Sequence, residues 1–100
     1  MTRDLDANIE IAGFRDVDDS SMTIITSNLN RHARKLSTHC KNLEKLHITM
    51  KKIHEREKGE KYDIHAKVLD NGKVYTSQVV DRNLFAAIDE ALEKLVHELD

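Results

Sequence analysis

Alternating apolar and polar residues mark four segments of the chain, and this period-two pattern predicts four β-strands. In the first segment, Asn8 to Phe14, Ile9 and Ile11 fall on one face. The other three segments are Leu43 to His54, Lys61 to Leu69 and Val74 to Val80.

Two local sequence signals add detail to the predicted strands, a turn and an irregularity. Asn71-Gly72 lies between the last two segments, and this dipeptide is preferred in the type I′ turn of a tight hairpin. Within the second segment the alternation shifts at Lys51-Lys52-Ile53, so we expect a bulge or a twist there.

Apolar residues at steps of three and four predict two helices. The first should begin in the N-cap-rich run Asp18 to Ser21 and continue to about Cys40, with Asn30 away from its apolar stripe. That stripe consists of Met22, Ile25, Leu29, Ala33, Leu36 and Cys40. The second helix should be capped by Asn83 and end at Leu99. Its stripe consists of Leu84, Ile88, Ala91, Leu92, Leu95 and Leu99.

The resulting order is β-α-β-β-β-α, which predicts an α+β fold. Strands joined by short turns are antiparallel, and strands with one apolar face need one covered face. We therefore expect a four-stranded sheet with both helices packed on one face and the other face open. Residues 8–100 should form one domain, preceded by a flexible acidic tail at residues 1–7.

Composition indicates a cytoplasmic protein. The 100 residues include one cysteine, Cys40, so no internal disulfide can form, and no metal-binding cysteine spacing is present. The first ten residues lack the apolar stretch of a signal peptide, and no apolar run has the length of a membrane span.

The net charge of −2 conceals an uneven distribution. Residues 31–58 carry nine lysines and arginines against three glutamates, whereas the ends of the chain are acidic. A basic surface attracts polyanions, although an exposed, solvated lysine-rich face is also common. The strand bases Lys45, Lys51 and Lys67, with His47 and His65, should point to the open face of the sheet.

No catalytic or metal site is indicated. The six histidines lack accompanying ligands at metal-binding spacing, and no glycine-rich phosphate loop is present. Cys40 falls on an apolar stripe with no base nearby, which is typical of a core residue. We expect no enzyme activity, cofactor, bound metal, small-molecule substrate or membrane partner.

The chain resembles the ribosome hibernation promoting factors, a family that includes the ribosome-associated inhibitor protein Y. The resemblance covers about residues 8–99 and is strongest in Asp81-Arg82-Asn83-Leu84-Phe85-Ala86-Ala87-Ile88-Asp89, followed by Glu93-Lys94-Leu95. Leu46-His47-Ile48-Thr49-Met50 is similar to a Val-x-Val-x-Leu strand of the family, and the Asn71-Gly72 hairpin agrees.

The resemblance implies a fold similar to a double-stranded RNA-binding domain with an added strand. It also implies binding in the messenger RNA and tRNA channel of the small ribosomal subunit, where the family blocks initiation on idle ribosomes. Lys35 and Lys94 match family lysines, whereas His32 and His97 stand where an arginine or lysine is usual. The sequence ends at Leu99-Asp100, where relatives continue into a basic tail.

These observations predict a translation-silencing factor that binds ribosomal RNA by charge pairing. The expected RNA-binding residues are Arg31, Arg34, Lys35, Lys45, Lys51, Lys67 and Lys94. The alternative is a protein-interaction module of the same fold that does not bind ribosomes. Weak self-association through a sheet edge is compatible with either function.

Overall fold

The computed structural model describes residues 5–99, and it confirms the predicted order of elements. The strands are β1 (Ile9–Ala12), β2 (Leu43–Glu55), β3 (Gly59–Asp70) and β4 (Lys73–Asp81). The helices are α1 (Asp19–His39) and α2 (Leu84–Leu99).

The four strands form one mixed sheet in the order β1-β2-β3-β4. β1 pairs in parallel with β2, which is possible because α1 carries the chain back between them. The pairs β2–β3 and β3–β4 are antiparallel. Both helices lie on one face of the sheet, α1 against β1 and β2 and α2 against β3 and β4. The α+β fold with one open sheet face is therefore confirmed.

The core lies between the sheet and the helices, and aliphatic side chains fill it. Leu46, Ile48 and Ile64 of the sheet and Leu29 and Leu92 of the helices are fully buried. Full burial of such a side chain stabilises a fold by about 1.5–3 kcal/mol relative to exposure. These contacts hold one face of the sheet against the helices, and the opposite face remains exposed to solvent.

Local signals set the ends of the elements as predicted. The carboxylate of Asp18 accepts a hydrogen bond from Ser21 N (3.0 Å), and Asn83 Oδ1 accepts one from Ala86 N (3.1 Å). Asn71 and Gly72 have φ values of 50° and 83°, the positive values that a type I′ turn requires at both central residues.

The expected bulge at Lys51-Lys52-Ile53 is wrong. The β2–β3 register is continuous through this region, and the irregularity lies between Leu43 and Lys45 instead. Lys52 interrupts the apolar alternation because it lies on the helix-covered face at the far end of the strand, where its ammonium pairs with Glu60 (3.2 Å). A lysine at an inward position therefore gave the appearance of a shifted strand.

The expectation that Asn30 lies away from the buried stripe is also wrong. Its side chain is 1% exposed, and its Oδ1 accepts a hydrogen bond from Asp6 N (2.9 Å). Leu5 packs against the core beside this contact. Of the tail expected at residues 1–7, residues 1–4 lie outside the described residues.

Candidate nucleic-acid interface

The open face of the sheet presents the predicted cluster of basic side chains. Leu46, Ile48 and Met50 of β2 are buried under the helices, so the alternate residues of this strand point to the other face. The open face therefore carries Lys45, His47, Lys51, His65 and Lys67. This placement follows the prediction made from the sequence.

The register places Lys67 near the middle of this face. It lies opposite His47 on β2 and opposite Thr76 on β4. His65 lies opposite Thr49, so the two histidines are diagonal neighbours and not a directly opposed pair. A phosphate group near Lys67 would thus meet polar or basic side chains on both neighbouring strands.

Among the described residues, three carboxylates share the open face, and each has an ion-pair or hydrogen-bond partner. Glu10 pairs with Lys45, whose ammonium lowers the pKa of Glu10. Glu55 pairs with Lys61 (3.0 Å) and Arg82 (2.7 Å), and the hydrogen bond from Lys61 is the main cause that lowers the pKa of Glu55. Asp63 accepts a hydrogen bond from Gln78 and lies 3.3 Å from His65.

Two lysines of the face remain available for an anionic partner. Within residues 5–99, neither Lys51 nor Lys67 forms an ion pair, and both are exposed. Lys61 and Arg82 extend the cationic surface toward the β2–β3 turn, and the sequence analysis missed them. Lys61 lies two residues before Asp63, so the alternation of β3 would have placed it on the open face. Arg82 lies beyond Val80, the predicted end of the last strand.

The three basic residues of α1 lie in the other layer of the molecule. Arg31 donates to Asn28 Oδ1 (3.2 Å), and Lys35 pairs with Glu93 of α2 (3.1 Å), which lowers the pKa of Glu93. Arg34 is exposed and forms no ion pair within the part of the chain that is described. Because the sheet separates these residues from Lys45, Lys51 and Lys67, the seven candidates do not form one continuous surface.

Lys94, the seventh candidate, is located at a sheet edge. Its ammonium donates a hydrogen bond to the backbone oxygen of Gln78 on β4 (3.3 Å). It belongs to neither the outer face of α1 nor the open face of the sheet.

Both tyrosines lie on the helix-covered face. Tyr62 and Tyr75 pack against the core, and the ammonium of Lys73 lies 5.6 Å from the centre of the Tyr75 ring. Of the aromatic side chains that the structure describes, none projects from the open face. A ligand of that face would be held by charge and hydrogen bonds, without base stacking.

A cavity of about 640 Å³ lies between the N-termini of the two helices. Its carboxylates include Asp18 and Asp81, which accept hydrogen bonds from Ser21 N and Asn83 N at the starts of the helices. Its lysine, Lys52, is paired with Glu60. Helix capping and an ion pair therefore account for Asp18, Asp81 and Lys52.

The remaining candidates for chemistry are the Cys40 thiol and clusters of metal-ligating side chains. Burial and the neighbouring Asp70 raise the pKa of the Cys40 thiol, which disfavours a reactive thiolate. Among residues 5–99, no three histidine, cysteine, aspartate or glutamate side chains converge to hold a metal ion. Neither described helix combines the length and the apolar character needed to cross a bilayer.

Comparison with known proteins supports the fold. The chain is similar to the crystal structure of the Thermus thermophilus Protein Y N-terminal domain, with a TM-score of 0.55 and 18% sequence identity over 91% of each chain. No family model and no curated protein matches the sequence. At this identity the likeness is one of fold: this chain has the architecture of the Protein Y N-terminal domain.

Proposed function

We propose that this protein is a cytoplasmic, ribosome-binding factor that silences translation. In this proposal it occupies the messenger RNA and tRNA channel of the small ribosomal subunit and excludes both ligands sterically. The observation that carries the proposal is the pair Lys51 and Lys67 on the open face of a Protein Y-like fold: both are exposed, and neither forms an ion pair within residues 5–99.

Recognition would rest on phosphate charge and RNA shape. The open face offers lysine and histidine donors, and the tyrosines that could stack on bases lie on the other face. Proteins that use such surfaces bind RNA largely without reading its sequence. Structured ribosomal RNA, with its dense array of phosphates, is a suitable partner for this face, and no covalent chemistry is required.

We divide the seven candidate residues into proposed primary and secondary contacts according to the face on which each one lies. We assign the primary contact to Lys45, Lys51 and Lys67 because they share one face. Arg31, Arg34 and Lys35 would contact RNA only where it wraps around to α1, and Lys94 only where it reaches the β4 edge. The ion pairs of Lys35 and Lys45 are solvent-exposed, and such pairs are weak enough for phosphates to replace their carboxylates.

Cosedimentation with small ribosomal subunits at graded salt tests this function. Binding should be retained at low salt and fall steeply as salt rises, because each neutralised phosphate releases counterions. The double variant Lys51→Glu/Lys67→Glu should weaken binding at least about tenfold and reduce the salt slope by about two. Absence of binding at low salt would refute the proposal.

A matched control changes the same charge elsewhere. Arg56 and Lys58 are exposed residues of the β2–β3 turn, outside the open face, and Arg56→Glu/Lys58→Glu alters the net charge equally. This control should bind nearly as well as the unmodified protein. Equal losses in both double variants would mean that only net charge matters, and the open face would not be the contact surface.

One observation favours the alternative, a protein-interaction module of the same fold. The exposed surface of α2 is largely acidic and includes Glu90 and Glu98, and Glu93 already holds Lys35. An acidic helix suits a basic protein surface better than RNA. Charge reversal at Glu90 and Glu98 would abolish capture of such a partner and would leave the binding of purified ribosomal RNA unchanged or slightly stronger.

A further inference from the structure

Among residues 5–99, no strand pairs with the outer edge of β4, although its backbone groups are arranged for one. Of the described strands, β4 is the last in the sheet and has β3 as its neighbour. Asp70 and Lys73 flank the two-residue turn and therefore bond to each other, as such hairpins require. Alternation then directs the N–H and C=O groups of Val74, Thr76, Gln78 and Val80 outward. The bond from Lys94 to the Gln78 oxygen agrees with this orientation.

The sequence of β4 is complementary in charge and apolar character to the same sequence running antiparallel to it. Ser77 is the midpoint of β4, and the chain on its two sides is Lys73-Val74-Tyr75-Thr76 and Gln78-Val79-Val80-Asp81. An antiparallel copy centred on Ser77 would place Lys73 opposite Asp81 and Val74 opposite Val80. We propose that β4 pairs with β4 of a second copy of this chain around a two-fold axis at Ser77.

Backbone geometry supports this register. It places outward residues opposite outward residues, Val74 with Val80 and Thr76 with Gln78, as an antiparallel ladder requires. All nine residues of β4 overlap. Moving the axis by one residue to Thr76 or Gln78 preserves the ladder but separates Val74 from Val80 and Lys73 from Asp81.

The side chains of β4 favour a second copy of this chain as the partner of the edge. Val74 and Val80 are 53% and 47% exposed, and they are two of the three large exposed apolar residues among those described. The proposed register covers both in valine–valine pairs, which stabilise antiparallel sheets. Opposite charges meet at each end of the interface. A protein with no matching charge pattern would gain less from this edge.

Lys94 limits the association. Its ammonium occupies the Gln78 oxygen, which would accept the N–H of Thr76 from the second copy. Lysines at exposed edges hinder strand pairing in this way. Both groups are exposed, so displacement of Lys94 costs little, and the interface is short. The dimer should therefore be weak, and it would join two open faces into one eight-stranded basic surface.

Sedimentation equilibrium between about 10 μM and about 1 mM tests the proposal, since a small interface corresponds to this affinity range. The unmodified chain should show a monomer–dimer equilibrium. Lys73→Asp and Asp81→Lys should each weaken it about tenfold, because like charges then face each other at both ends. Mixing the two variants should restore association as a heterodimer, since both ion pairs reappear.

Two further variants guard against indirect effects. Asp81 accepts a hydrogen bond from Asn83 N, so Val80→Lys, which alters no helix cap, should reproduce the weakening. Lys94→Ala frees the Gln78 oxygen and should strengthen association several-fold. Circular dichroism melts verify that each variant folds. A chain that stays monomeric throughout, or charge variants that associate normally and gain nothing on mixing, would overturn the proposal without affecting ribosome binding.

Discussion

His32 and Asp89 join the two helices, with His32 Nε2 3.1 Å from Asp89 Oδ1. His32 is 8% exposed, whereas about half of the Asp89 side chain is accessible to solvent. One helical turn further along α1, Lys35 pairs with Glu93. Through these two contacts, Asp89 and Glu93 hold α2 against α1.

We predict that Asp89→Ala lowers the free energy of unfolding by about 1–2 kcal/mol, because it leaves a nearly buried ring nitrogen without its partner. The loss should appear although alanine is the better helix former. Urea denaturation measures it. Glu90→Ala, at the exposed neighbouring position, should stay within about 0.5 kcal/mol of the unmodified protein. Equal stabilities of the two variants would show that the His32 contact contributes nothing.

Asn30→Ala should destabilise the fold by about 1–3 kcal/mol, since the residue is buried and its Oδ1 binds Asp6 N. Hydrogen exchange gives a more specific measurement. The amide of Asp6 should lose protection in the variant, while amides in the middle of β3 keep theirs. Unchanged exchange at Asp6 would contradict the contact. Ser27→Ala, at an exposed position of the same helix, is the control.

Gly13→Ala should be among the most destabilising single changes, at roughly 3 kcal/mol or more, because overpacking adds to backbone strain. Gly13 has φ +87°, and an added Cβ would lie 2.0 Å from the backbone oxygen of Met50, which the β2 ladder holds in place. Gly72→Ala serves as the comparison, because its φ of +83° is similar and no atom lies within 4 Å. That variant should cost only the strain of a left-handed residue, about 1–2 kcal/mol. Thermal and urea unfolding of the two variants separates the clash from the strain.

Asp18 should contribute to the loss of stability in acid. The hydrogen bond from Ser21 N lowers the pKa of Asp18 in the folded protein. A folded pKa below the unfolded value means that the stabilisation is complete above about pH 4 and is lost as the pH falls through the folded pKa. Asp18→Asn keeps a capping group that does not titrate. We expect similar melting temperatures for both proteins at pH 7 and a smaller acid-induced decrease for the variant. Identical pH profiles would refute this role.

Local sequence signals predicted much of the fold. The Asn71-Gly72 turn, the Asp18 and Asn83 caps and the order of elements depend on neighbouring residues, and all agree with the structure. The failures occurred where distant groups decided the outcome. Asn30 is buried, and its side chain bonds to the backbone of Asp6, which lies outside the helix. No helical period along α1 contains that information.

For the candidate site, too, the sequence predicted one part and the tertiary structure decided the other. Alternation along β2 and β3 was sufficient to place Lys45, Lys51 and Lys67 on one face, because side chains of a strand point to opposite sides in turn. Tertiary structure decided that α1 lies across the sheet from them, and that Lys94 binds the Gln78 oxygen at an edge. The self-complementary residues of β4 are visible in the sequence. Only the strand order shows that this strand is free to pair, because an edge is a property of the whole sheet.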